Sequence, residues 1–328
     1  MTFRVPVGRH VTLSALAAMA LLTCASGALA QPYPVSPVRI IVGFGPGSTA
    51  DILARLVARH METSFGQPVL VENRPGNSSM SAAQTVSRAP KDGYTLFMAT
   101  VANTLNPVQT GSPFNLGTDL EPIALLGVNP NVLVVHPSVP ARSVKELIAI
   151  AKTKPDSLTF GTSGAGTASH LAAELFNARA GTKILSVHYQ GGANQGMTDL
   201  LTGRITAMFN VAAALAPHAN SGQLVPLAVA QPKRAGIMPN VPTMDEEGIP
   251  GFDVGIWIGL LAPAGTPAPV VDKLSLAAND ALKSEAVKAA LTTQGIDPVG
   301  GTPQEFSAFI RADIDKWKSI IAMMNTQK

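Results

Sequence analysis

The sequence predicts an α/β protein with mainly parallel sheet, and three observations carry the prediction. Short apolar runs alternate with amphipathic helical segments along most of the chain. Strands separated by helices imply right-handed crossovers, which leave neighbouring strands parallel. Three strand-to-helix junctions, at 43–50, 161–170 and 190–193, are rich in Gly and other small residues. Open α/β sheets place ligands beyond the carboxyl ends of their strands, where such junctions lie.

The first 30 residues are expected to be a leader and not part of the fold. Arg4, Arg9 and His10 form a basic start, 11–23 is an apolar run, and Ala28-Leu29-Ala30 fits small-x-small cleavage before Gln31. The run is short for a membrane span of about 20 residues. Cys24, the single cysteine, lies inside these first 30 residues. Leu22-Thr23 is a poor approach to a lipidated cysteine, so cleavage after Ala30 is the expectation and lipidation at Cys24 the alternative. The mature chain then has no cysteine, which excludes disulfides and thiol chemistry and suits a bacterial periplasm. Its 22 basic residues face 21 acidic ones, and aromatics make up 5% of the whole sequence. That balance excludes a basic nucleic-acid face.

The elements follow in order. A buried strand at 40–42 leads through the first junction to a helix over 51–64, with Leu53, Leu56, Val57 and Met61 at helical spacing. Gly66 ends this helix and Pro68 blocks its continuation. A short strand at 69–71, a turn at 72–76, a helix over 80–87 and a strand at 94–99 complete the first stretch. The strand 132–135 precedes a capping box, Ser143 with Glu146, that starts a helix over 144–151. The strand 158–160 runs into the second junction and a helix over 171–178. Further strands are expected at 184–188, 204–209 and 224–230, with a helix from the third junction through Leu201. After the loop 239–250 come a strand at 257–262, a Pro/Gly linker at 263–269, and helices over 269–283, 285–294 and 303–323. In the last helix Phe306, Phe309, Ile310, Ile314 and Trp317 form a periodic stripe, read as core contact.

The junctions are candidate anion cradles. A helix N-terminus leaves backbone N–H groups unpaired, and its dipole favours negative charge. The first junction contains no Lys and no Cys, so it is suited to holding a group and not to attacking it. Its G-x-G-x-G spacing departs from a dinucleotide fingerprint, and no Gly-Lys-Ser/Thr exists for a P-loop. GTSGA at 161–165 resembles a nucleophile elbow, with Ser163 as nucleophile and His170 as base. A base seven residues along the chain, on the following helix, faces away from such a serine. His60, His136, His170, His188 and His218 are read as unpaired with one another or with a carboxylate at metal-ligand spacing. Asp51, in the first helical turn, either balances the dipole or orders the loop and its ligand.

Several blocks together carry a resemblance: Tyr33-Pro34 with RIIVGFGPGSTAD, FGQPVLVENRPG (65–76), PKDGYTLFMAT (90–100), LTFGTSGAGTASHLAAELF (158–176), HYQGGANQGMTDLLTGRI (188–205) and VPTMDEEGIPGFDVGIWIGLLAPAGTP (241–267). In this order, over nearly the whole mature chain, they resemble the Bug family, the solute-binding proteins of tripartite tricarboxylate transporters. The resemblance implies a two-domain, type II-like Venus flytrap with crossover strands between the domains. Domain 1 takes 31–128 and 254–328, and domain 2 takes 129–253. It implies a small carboxylate in the cleft, held by main-chain N–H groups, hydroxyls and water. By position, the ligand-binding residues are Phe44, Pro46, Gly47, Ser48, Thr49 and Asp51, then Thr100 and Asn103. Domain 2 supplies Ser163, Thr167 and His170, with Gly191, Gly192, Ala193 and Asn210.

Three places depart from the family pattern. Ser48 stands where Gly is usual, Asn77-Ser78-Ser79 replaces a glycine-rich continuation, and Asn210 stands where Asp is frequent. The implied function is capture of a carboxylated metabolite for a membrane permease, without cofactor, metal or enzymatic activity, by a monomer in the periplasm. The alternatives are a sensor subunit for a signalling partner and a serine hydrolase using Ser163.

Overall fold

A computed structural model describes residues 33–164, 167–189 and 193–326. The leader and its Cys24, and the loop residues Gly191 and Gly192, lie outside the described residues. Ser36–Lys328 forms one compact unit.

The chain begins with β1 (Val38–Val42), α1 (Thr49–Phe65), β2 (Val69–Asn73), α2 (Met80–Ser87), β3 (Thr95–Thr100) and α3 (Ala102–Thr110). A single turn, α4 (Leu116–Asp119), precedes β4 (Leu120–Asn129). Then follow β5 (Asn131–Val135), α5 (Val144–Thr153), β6 (Thr159–Thr162), α6 (Ala168–Ala180), β7 (Leu185–His188), α7 (Ala193–Leu201), β8 (Ala207–Val211), α8 (Ala212–Asn220) and β9 (Val225–Val229). The last part is β10 (Ile256–Pro263), α9 (Ala268–Lys283), α10 (Glu285–Thr293), β11 (Asp297–Pro298) and α11 (Pro303–Thr326).

The strands form two sheets, in the orders β11-β4-β10-β3-β1-β2 and β7-β6-β8-β5-β9. Both are mixed, where the sequence predicts mainly parallel pairing. β1 is parallel to β2 and β3, and β6 is parallel to β7 and β8. β10 runs antiparallel to β3 and β4, and β5 antiparallel to β8 and β9. The parallel pairs are those joined through helices. β5 and β10 arrive from the other sheet, so no local helical crossover dictates their direction.

β5 illustrates how the sequence builds these sheets. Its run NVLVV is buried at every position, as expected of a strand covered on both faces. Leu133 and Val135 enter the main core with Phe160, Phe209 and Phe252, while Val132 and Val134 enter a second cluster with Leu215 and Val229. The main core continues into the first sheet through Ile41, Phe97 and Leu261. The periodic stripe of α11 is core contact as predicted: Phe306, Ile310 and Trp317 are buried, and Phe309 and Ile314 pack partly buried against them. The buried Asp313 docks this helix. It accepts hydrogen bonds from Thr104 Oγ1 (2.5 Å), Trp257 Nε1 (2.9 Å) and Trp317 Nε1 (3.1 Å), and Lys316 Nζ lies 2.5 Å from its other oxygen. A buried carboxylate so partnered ties this helix to β10 and α3 through Trp257 and Thr104.

Candidate functional site

The register of the crossover strands sets the predicted junctions opposite one another. β4 runs in the same direction as β3 and ends at Asn129; after Pro130, β5 starts at Asn131, paired with Val211 at the end of β8. The carboxyl ends of β1 and β3 in one sheet therefore face those of β6 and β8 in the other. Thr100 and Asn210 both lie within a few residues of this passage, Thr100 paired with Ile258 and Asn210 with Val132.

At the first sheet, the junction after β1 is braced by Asp51, which is 2% exposed. Its carboxylate accepts from Gly47 N (2.9 Å), Arg55 Nε (3.1 Å) and Asn73 Nδ2 (2.9 Å), and Asn73 Nδ2 also donates to Phe44 O (3.0 Å). Burial alone would raise the Asp51 pKa, but these hydrogen bonds and the Arg55 charge outweigh it and hold the group below the ordinary carboxylate range. Of the two roles open for Asp51 from sequence, the geometry selects ordering of the loop. Arg55 neutralises it, which leaves the helix dipole able to favour a further anion.

Ser48 is the N-cap of α1, in extended conformation (φ −66°, ψ 156°), and accepts from Asp51 N at 3.3 Å. The positive φ of the loop falls on Gly47 (φ 81°), so the Cβ of Ser48 brings no strain. Pro46 and Gly47 are exposed, and Phe44, Ser48 and Thr49 half-buried. Thr100 and Asn103 are buried and engaged internally. Asn103 Oδ1 accepts from Thr100 N (3.0 Å), its amide donates to Met80 Sδ (3.7 Å), and Thr100 Oγ1 accepts from Ala102 N (3.3 Å).

Asn77, Ser78 and Ser79 occupy this corner too, with Ser79 against the backbone of Gly43. All three have positive φ (45°, 50° and 72°), a conformation glycine adopts freely and other residues adopt at a cost. Three non-glycine residues in succession therefore hold a conformation that glycine adopts more readily. Asn73 and Arg55, as loop braces, are not among the residues selected from sequence.

At the second sheet, Thr167 is the N-cap of α6. Its hydroxyl donates to Gly164 O (2.7 Å) and accepts from His170 N (3.4 Å). Ser169 Oγ accepts from Ser163 N (2.9 Å) and lies 3.3 Å from Ser163 Oγ. Asn210 Oδ1 accepts from Val211 N (2.8 Å). Ala193 begins α7.

His170 and His188, for which the sequence shows no pairing at metal-ligand spacing, meet edge to face with ring centroids 4.6 Å apart. His170 Nε2 is 3.6 Å from Glu174 Oε1, which also accepts from Ser186 Oγ (2.9 Å), and His188 Nδ1 is 2.7 Å from Thr162 Oγ1. The His170–Glu174 spacing of four residues on one helix was the available signal. The His170 hydrogen bond holds Glu174 below the ordinary carboxylate range. Desolvation, then the charge of His170, pulls His188 below the ordinary imidazole value, against the opposing attraction of Glu174. This pairing engages His170 with Glu174 on its own helix and with His188 at the end of β7. Among the described residues no group of three or more His, Cys, Asp or Glu is arranged to hold a metal ion, and no helix is long and apolar enough to cross a membrane. A cavity of about 480 Å³ lies apart from both clusters, between the segment after β9 and the strands β4, β10 and β11.

The family model described as the tripartite tricarboxylate transporter family receptor matches residues 53–326. The protein BugT of Bordetella pertussis is 35% identical over 295 residues, covering 89% of this chain and 90% of the relative. A UPF0065 protein of the same organism is 33% identical over 317 residues, covering 96% and 98%. Among solved structures, a TctC solute-binding protein from Polaromonas without ligand is 28% identical with a TM-score of 0.82, covering 89% of this chain and 99% of the other. An R. palustris protein with adipate is 33% identical (TM-score 0.71, coverage 88% and 97%). MatC from Rhodopseudomonas palustris with bound malate is 29% identical (TM-score 0.69, coverage 88% and 100%).

Proposed function

The chain belongs to the tripartite tricarboxylate transporter receptor family, and from that membership we propose that it captures a small carboxylate between two lobes and hands it to a membrane permease. It has the two-domain fold of periplasmic binding proteins, and it is a receptor and not an enzyme. Family members are periplasmic receptors; cleavage after Ala30 is the proposed route of export for this chain. The proposed lobes are 31–128 with 254–328 around the first sheet, and 129–253 around the second.

The observation that carries the reading is the opposition of two donor-rich helix starts across the crossover at 129–131, one at Gly47–Thr49 and one at Ser163–Ser169. Each combines hydroxyls with the positive end of a helix dipole, and neither alone surrounds an anion. Phe44, Pro46, Gly47, Ser48 and Thr49 supply the first side; Ser163, Thr167, His170 and Asn210 supply the second. The ligand class is a mono- or dicarboxylate, in keeping with the adipate and malate of two solved relatives. The better superposition on the ligand-free relative, despite its lower identity than the adipate-bound one, supports reading this arrangement as the open form.

Ligand favours closure because only the closed form engages both sides. The test is a melting-temperature screen against mono- and dicarboxylates, adipate and malate included, followed by calorimetry and small-angle scattering. The expected result is stabilisation growing as ln(1 + [L]/Kd), with compaction of the particle. Absence of any shift across organic acids and amino acids overturns the proposal.

A further inference from the structure

The two sheets meet at a second place. Asp297, on the two-residue strand β11, accepts a hydrogen bond from Gly236 N with both carboxylate oxygens, at 3.2 and 3.3 Å. Gly236 belongs to the segment following β9, and its neighbour Ala235 is buried in the second-sheet cluster with Val132, Val134 and Val229. The contact is close: a Cβ on Gly236 would lie 2.7 Å from Asp297 Oδ1.

Strand order gives this contact its meaning. In the first sheet the crossover strands β4 and β10 lie between β11 and the ligand-facing strands β3 and β1. In the second sheet β5 lies between β9 and the ligand-facing strands β8 and β6. The crossovers are thus a fulcrum, with the two anion-receptive clusters on one flank and the Asp297–Gly236 contact on the other. The 480 Å³ cavity lies on this second flank, bounded by Gln231 and Lys233 on one side and by Val128, Trp257 and Val299 on the other. A rotation that brings the ligand flanks together moves the opposite flanks apart.

We infer that the Asp297–Gly236 contact is a latch that holds the cleft open, so that these two residues set ligand affinity without touching ligand. The inference rests on the reading of the two sheets as lobes that close on a carboxylate. The apparent dissociation constant of a closing receptor is its intrinsic value divided by the competent fraction, so a latch weakens binding by the amount it favours the open form. The carboxylate is already partly desolvated, so losing its N–H donor leaves little to replace it.

The experiment measures adipate and malate affinity by calorimetry, and the ligand-free radius of gyration by small-angle scattering, for the mature wild type, Asp297→Ala and Gly236→Ala. Each variant is expected to bind about fivefold tighter and to be more compact without ligand, with the double variant no tighter than the single ones. A second arm uses the absence of cysteine from the mature chain. The pair Gly236→Cys with Asp297→Cys is expected to form a disulfide readily in the ligand-free protein, and the oxidised form to lose compaction by adipate or malate. An Asp297→Ala protein with wild-type affinity and wild-type radius overturns the latch, as does failure of the cysteine pair to oxidise. A wild type that binds no carboxylate and never compacts overturns the transport reading instead, and the ligand-free radii and the disulfide still decide the latch.

Discussion

At the end of β1 the loop is held by one buried carboxylate, whereas at the ends of β6 and β7 the loops are held by hydroxyls and a histidine pair. Asp51 gathers Gly47, Asn73 and Arg55 around a charge that is shielded from solvent. Thr167, Ser169 and Ser163 make a chain of shorter-reaching and neutral bonds, beside the cluster of His170, His188 and Glu174, in which burial pulls His188 below the ordinary imidazole value. The difference teaches that two helix starts with the same donor geometry respond differently to their surroundings. The first side is a fixed seat, and the second is one whose charge follows the solution.

The largest effect should come from removing the brace of the fixed seat. Asp51→Ala leaves Gly47 N–H, Asn73 and Arg55 without their acceptor and is expected to cost about 2–3 kcal/mol of stability and more than tenfold in carboxylate affinity. Denaturant titration and calorimetry measure the two losses; an unchanged affinity would mean that loop order and ligand grip are separate. Next, Asn210→Asp adds a negative charge on the second side and should weaken a dicarboxylate by roughly tenfold at low salt and less at high salt. Equal affinity at both salt concentrations would remove Asn210 from the site.

Ser78→Gly is expected to stabilise, by about 1 kcal/mol, because glycine adopts φ 50° without the Cβ penalty. A lower melting temperature would show that the serine repays its strain through contacts of its side chain. The smallest effect concerns pH. The folded-state pKa of His188 lies below its ordinary value, so the folded form disfavours the proton. Its contribution to stability is complete above the unfolded value of about 6.5 and is lost as pH falls through that region. Glu174, also depressed, adds a loss in the same direction as pH falls below about 4.5. His188→Gln should therefore flatten the decline in melting temperature between pH 7.5 and 5.5, while Asp51→Ala should leave that decline as it is. Identical slopes in wild type and His188→Gln would erase the proposed contrast between the two sides.

Local pattern made much of this legible beforehand. The helices α9, α10 and α11 lie close to their expected bounds because apolar spacing, Pro and Gly marked them. The strand β4 escaped notice: in LEPIALLGVN the apolar stretch 123–126 is short and follows Glu121-Pro122, so neither alternation nor turn residues announce a ten-residue strand. α3 and α8 carry internal prolines, Pro107 and Pro217, which read as breaks. The antiparallel entry of β5 and β10 depends on which sheet a strand arrives from, and local residue order holds no trace of that. At the site, the junctions themselves were readable from Gly, Ser and Thr. Asn73 reaches Asp51 across 22 residues, and His188 reaches His170 across 18, because strand and helix bring them together; no spacing rule links such pairs.

The placement of β10 has a consequence for how the molecule comes into being. It lies between β3 and β4, which were synthesised more than a hundred residues earlier and do not pair with each other. The second sheet is complete by β9, whereas the first waits for residues 256–263 to fill its centre. Until then it has two unsatisfied inner edges, each a row of free N–H and C=O groups open to a wrong partner. A chain cut before Ile256 is thus a molecule with one finished half and one adhesive half.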